Sequence, residues 1–153
     1  MTIRRKVSIV AILLPLMLLT QAFGCGGFLK VTEKVAAENA HFANAVIVAH
    51  KDIDGSGKPF VDDATETILL NASKRIAGYD DAAAEMFVNN NKQGVLNQVD
   101  QALATIDTEV ANGIAGIKNP DRKLQLQAIV AGLRSLIITA KTYVQVQGTG
   151  GKI

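Results

Sequence analysis

Few residues of this chain are spaced for chemistry, and the best-spaced of them are acids. Glu38-Asn39-Ala40-His41 sets a carboxylate and an imidazole three residues apart, on one face of a helix. A di-iron centre in a four-helix bundle takes two such pairs, plus one glutamate from each remaining helix. The second pair is missing. His50 follows nine residues after His41, half a turn out of phase, and Glu66, Glu85 and Glu109 leave the last helical segment without an acid. Glu38 and His41 therefore read as a solvated glutamate beside a boundary histidine. Asp62-Asp63 and Asp80-Asp81 are adjacent carboxylates, a pattern that helix starts use to complement their dipole, and caps are the reading adopted. Ser56, Ser73 and Ser135 have no histidine at a spacing that would activate them. Gly148-Thr149-Gly150-Gly151-Lys152 has the glycines and lysine of a phosphate loop, without the strand before it or the helix after it. No catalytic residue is assigned, and the chain reads as non-enzymatic.

Asp52-Ile53-Asp54-Gly55-Ser56-Gly57-Lys58-Pro59-Phe60-Val61-Asp62-Asp63 resembles an EF-hand calcium loop over all twelve residues. The resemblance implies Asp52, Asp54 and Ser56 as side-chain oxygen ligands, Lys58 as a backbone carbonyl ligand and Asp63 as the closing carboxylate. Gly57 stands at the sharp turn. Two departures weaken it. Asp63 is one methylene shorter than the usual bidentate glutamate, and Pro59 removes an N–H that would pair with a second hand, of which there is none. The expectation is weak calcium binding, about 10⁻⁴–10⁻³ M, set against a plain polar connection between two helices. No other cofactor is expected.

The start of the chain gives an address. Arg4, Arg5 and Lys6 precede the uncharged run Val7–Leu19, the charge and length pattern of an export signal. That run falls short of the roughly 20 residues a permanent span requires. Ala22-Phe23-Gly24-Cys25 then resembles the lipobox of bacterial lipoproteins, matching best at Gly24 and Cys25. The resemblance covers residues 1–25 only. It implies removal of residues 1–24, and a thioether-linked diacylglycerol and an acylated amino group, of the palmitate kind, on Cys25. Cleavage by an ordinary signal peptidase and an uncleaved anchor are the alternatives. Lipidation implies a cell-envelope location, on the outer side of the cytoplasmic membrane or at the outer membrane, with Gly26 resembling the outer-membrane class. Residues 25–27 would form the attachment and a short tether.

Composition narrows the rest. Three of the 16 Lys and Arg, and none of the 14 Asp and Glu, lie in residues 1–24, so the mature chain carries a formal charge of −1. A near-neutral exterior offers no footprint for nucleic acid. One cysteine permits no internal disulfide, so stability must come from packing. Tryptophan is absent, which removes a common interface anchor.

Four helical periodicities must position everything above. Phe28, Val31, Val35, Phe42, Val46 and Ala49 make the first stripe, over 28–51, with Glu38 or Asn39 filling its gap. A second helix opens with Asp63 as N-cap and Glu66 three residues on. Its stripe is Ile68, Ala72, Ile76, Tyr79, Ala83 and Met86, continuous through Gly78 to about Asn90; a break at Gly78 with Asp80 or Asp81 recapping is the alternative. The third stripe is Leu96, Val99, Leu103, Ile106, Val110, Ile114 and Ile117. Asn119-Pro120 starts the fourth, with Leu126, Ile129, Leu133, Leu136, Ala140 and Tyr143. Lys118, Arg122, Lys123, Arg134 and Lys141 make it mildly basic, either a solvated face or a docking face for an acidic partner or anionic lipid. Short turns favour antiparallel neighbours. The predicted fold is all-α, an up-down four-helix bundle over 28–147 behind an N-terminal signal peptide, with a flexible tail over 148–153. The predicted role is that of a membrane-tethered structural or protein-binding module whose protein partner is unknown.

Overall fold

The computed structural model describes residues 27–147; the signal and lipobox expectations for 1–25 and the tail at 148–153 lie outside them. Helix α1 is Phe28–Lys51 and α2 is Asp63–Val88. Helix α3 is α-helical over Lys92–Thr105 and again over Ala111–Ala115, joined by a π-helical turn at Ile106–Val110. Helix α4 is Pro120–Gln147. Among the described residues these are the only helices, and none is long and apolar enough to cross a membrane.

Chain neighbours pack side by side, and α4 closes the ring against α1. The directions are antiparallel. At one end Phe28 of α1 lies 6.4 Å, ring to ring, from Tyr143 of α4. At the other, Asp52, just past α1, pairs with Arg122 near the start of α4. Phe87 stacks on Phe28 at 4.5 Å and completes an aromatic cluster at the Phe28 end. The opposite end carries the 52–62 loop and the α3–α4 turn.

The core of the bundle is aliphatic, and full burial of each Leu, Ile or Val is worth about 1.5–3 kcal/mol. The α1 stripe packs as expected, with buried Asn39, not Glu38, filling its gap. Elsewhere most of the expected stripe is buried, including Ile76, Val99, Val110 and Leu133, but some positions yield to a neighbour. In α2 Leu69 is fully buried and Ile68 is 47% exposed. In α3 Val95 and Ala102 are buried, leaving Leu96 and Leu103 at the boundary. In α4 Ile137 and Val144 are buried where Leu136 and Tyr143 were expected. Each case offered two adjacent apolar residues, and periodicity alone does not say which one meets a neighbouring helix.

The caps follow local chemistry. The N-cap of α2 is Asp62, one residue before the expected Asp63: its Oδ1 accepts from Thr65 N at 2.7 Å. Asn91 caps α3 by accepting from Gly94 N at 2.9 Å, and Asn119 caps α4 through Arg122 N at 2.9 Å. Asn90, at φ 58°, takes the left-handed turn that stops α2, a conformation asparagine tolerates. The π turn keeps Ile106 and Val110, four apart, both inside. It also sends Asp107 to Arg134 of α4 and Glu109 to Arg75 of α2, clipping α3 to both neighbours.

Candidate functional site

Loop 52–62 folds back on itself. Ile53 and Pro59 form an isolated antiparallel bridge. Asp54 N donates to the Lys58 carbonyl at 2.7 Å and Phe60 N to the Asp52 carbonyl at 3.0 Å. Asp54 Oδ1 accepts three bonds, from Ser56 N (2.8 Å), Ser56 Oγ (2.6 Å) and Lys58 N (3.0 Å). Those donors, the Ser56 hydroxyl foremost, hold the Asp54 carboxyl below its ordinary range. Gly57 sits at φ 78°, the left-handed conformation expected of its turn.

Arg122 ties this loop to α4. Its Nη2 pairs with Asp52 Oδ2, its Nη1 donates to Gln125 Oε1 at 2.9 Å, and its guanidinium lies 5.7 Å from the Phe60 ring centre. On the α2 side, His50 Nδ1 lies 3.0 Å from the Val61 carbonyl and 3.5 Å from Glu66 Oε2, with Nε2 3.9 Å from Asp63 Oδ1. Between the loop and the α3–α4 turn is a cleft of about 500 Å³, where Lys58 and Lys118 are balanced by Asp54 and Asp62 beside Phe60 and Ile117.

The five residues of the calcium reading are thus distributed. Asp52 is held by Arg122, Asp54 is turned onto Ser56 and the Lys58 amide, the Lys58 carbonyl accepts from Asp54 N, and Asp63 stands exposed near His50. Among the described residues, no group of three or more His, Cys, Asp or Glu side chains gathers where a metal ion could be held. Half-buried Glu38 and exposed His41 lie together, Oε1 to Nδ1 at 3.6 Å. Of the adjacent acids, Asp62 is a cap, but Asp80 and Asp81 lie inside α2, not at a helix start.

The basic residues of α4 do not form a free face. Arg134 pairs with Asp107, Lys141 with Asp100 at 2.7 Å, and Lys123 Nζ donates to the Ala115 carbonyl at 3.0 Å. With Arg122 on Asp52, four cations are engaged within the bundle. The outward positions Leu124, Ala128, Ala131, Ile138, Thr142 and Val146 carry no charge and are all exposed. Leu124 is 63%, Ile138 39% and Val146 77% exposed.

Two features escaped the sequence reading. One is this uncharged face, visible in the steps of four, three, seven and four from Leu124 to Thr142 but overshadowed by the core stripe. The other is Asp80, four residues after Ile76 and three before Ala83, on the buried side of α2. Burial, and the neighbouring Asp81, push its carboxyl up to about 7.

The described residues form an all-α up-down four-helix bundle. No family model, curated protein or solved structure matches the chain.

Proposed function

We propose that this chain is a membrane-tethered cell-envelope lipoprotein with a non-enzymatic, protein-binding role. The address rests on the sequence of residues 1–25, where an export signal ends in Gly24-Cys25. Two or more acyl chains there would make attachment to a bilayer stable. The binding role rests on one observation, the uncharged outward face of α4. Interface cores are depleted of charge, and this face is cleared of it because the cations of α4 turn to α3 and to Asp52. Helix α1 begins at Phe28, close after Cys25, and its 24 residues span about 36 Å. A tether at Cys25 therefore leaves the loop end and its cleft about that far from the anchored end.

Intact mass of membrane-extracted protein tests the anchor. The expected chain begins at Cys25 and carries the added mass of a diacylglycerol and one further acyl group. In Cys25→Ser that mass and the membrane retention are both lost; unchanged mass and fractionation would overturn the proposal. A photo-crosslinking residue at Ala131 tests the face, with exposed Lys74 on α2 as control. A discrete adduct at 131 alone is expected, and equal labelling at both positions counts against a docking role for α4.

A further inference from the structure

The inward register of α2 runs Leu69, Ser73, Ile76, Asp80, Ala83 and Phe87, in steps of four and three. Its polar members have different fates. Ser73 is satisfied by Asn39. Asp80 has no hydrogen bond or ion pair among the described residues. It lines a cavity of about 10 Å³ to which all four helices contribute, beside Thr32 of α1, Gln98 of α3 and Ala140 of α4. That is room for about one water. Ala83 and Ala102 in the same wall leave the space open.

The wall offers a charge nothing to pair with. The lining groups from α1, α3 and α4 are uncharged, Thr32 and Gln98 being the polar ones. From α2 itself the titratable neighbours are Tyr79 and Asp81, neither a cation. A carboxylic acid fits this site as a neutral hydrogen-bond donor. Asp80 is half-buried, so a carboxylate there turns toward solvent and draws water into the wall, because an unpaired charge is costly in an apolar setting.

We propose that Asp80 is a pH-sensitive latch of the bundle. As the neutral acid it lets the four helices close around the cavity. As the carboxylate it hydrates the cavity and loosens the second half of α2, residues 76–88, from α1 and α3. The direction follows from proton linkage. Asp80 holds its proton more tightly in the closed bundle than in an opened one, so the closed form is favoured at low pH. The advantage shrinks as pH rises from the ordinary carboxyl value of 3.8 to about 7. Above that the opened form is as accessible as this group can make it.

Hydrogen exchange of the full chain in detergent micelles, corrected for intrinsic rates, tests the latch. Between pH 6 and pH 8 a single linked proton changes the opening constant by about tenfold. Amides of 76–88 are expected to lose up to that much protection in the wild type. Asp80→Asn is expected to stay closed at both values, and Asp81→Asn to keep the response with its midpoint moved to lower pH. The same pH response in wild type and Asp80→Asn overturns the proposal. If Asp80→Asn does not fold, carboxyl NMR of the wild type decides: an Asp80 midpoint near 7 supports the latch, and one near 4 overturns it.

Discussion

Asn39 and Ser73 hold each other across the α1–α2 interface. Asn39 Nδ2 donates to the Ser73 carbonyl at 3.0 Å, and Ser73 Oγ donates to Asn39 Oδ1 at 3.0 Å. Both are buried. The exchange fixes the axial register of two helices whose buried contacts are otherwise apolar and could slide, the polar contacts of His50 with Glu66 and Asp63 lying at the loop end. Ser73→Ala leaves Asn39 Oδ1 without its donor, at a cost of about 1–3 kcal/mol. Asn39→Leu with Ser73→Ala removes both polar groups and is expected to cost less than the two single changes added together. Urea unfolding of the three variants reads the coupling; strict additivity would mean the bonds do not cooperate.

Two glycines in or beside the second helix answer a Cβ in opposite ways. At Gly113 of α3 a Cβ would stand 2.6 Å from Leu69 Cδ2 and 3.1 Å from its Cγ, and Leu69 is fully buried with no room to swing. Gly113→Ala is expected to lose about 1 kcal/mol, overpacking outweighing the gain in helix propensity. At Gly78 nothing lies within 4 Å, and Gly78→Ala is expected to gain about 0.5–1 kcal/mol. Thermal melts of the pair should move in opposite directions.

Arg122 is the pin of the 52–62 loop. Its removal frees Asp52 and uncovers Phe60. Arg122→Ala should cost about 1 kcal/mol and speed amide exchange from Asp52 to Phe60. Arg122→Lys should rescue little, since an ammonium cannot reproduce the planar fork.

Calcium would have to displace Arg122 from Asp52 and the Ser56 and Lys58 donors from Asp54. Calorimetry at millimolar calcium is expected to show no saturable heat. A saturable heat that vanishes in Asp52→Ala and grows in Arg122→Ala would establish the loop as a calcium site.

Stability should depend on pH from both sides. Asp54, held down first by the Ser56 hydroxyl, Asp62 by Thr65, and Asp107 by Arg134 all lie below the ordinary 3.8. Their stabilisation is present above that value and is lost as pH falls through the lowered ones. Asp80 acts oppositely: its contribution is present below 3.8 and lost as pH rises to about 7. Melting temperature should therefore peak at about pH 4, where the carboxylate gains end and the loss at Asp80 begins. At pH 8 Asp80→Asn should be stabilised by about 1 kcal/mol, solvent screening cutting the full linkage value for a partly exposed carboxyl. A melting profile without the decline toward pH 8 in wild type would contradict this.

The number of helices, their order and nearly all of their bounds are legible in the chain, because period, caps and breakers are local. Asn119-Pro120 announced the start of α4, and Asp-Gly-Ser-Gly-Lys-Pro announced the loop before α2. The chain also shows that a lone cysteine follows an export-like segment. It left open which of two adjacent apolar residues faces inward at Ile68-Leu69, Leu136-Ile137 and Tyr143-Val144, since a helix wheel separates such neighbours by only about a quarter turn. Packing settled those, by setting each helix's rotation against two neighbours at once. Long-range pairing likewise turned the basic residues of α4 onto Asp52, Asp100 and Asp107, removing the basic face that the chain suggests when read alone. Asp80 became a half-buried acid for the same reason: the packing of four helices, not the residues beside it, set an apolar wall against its carboxyl.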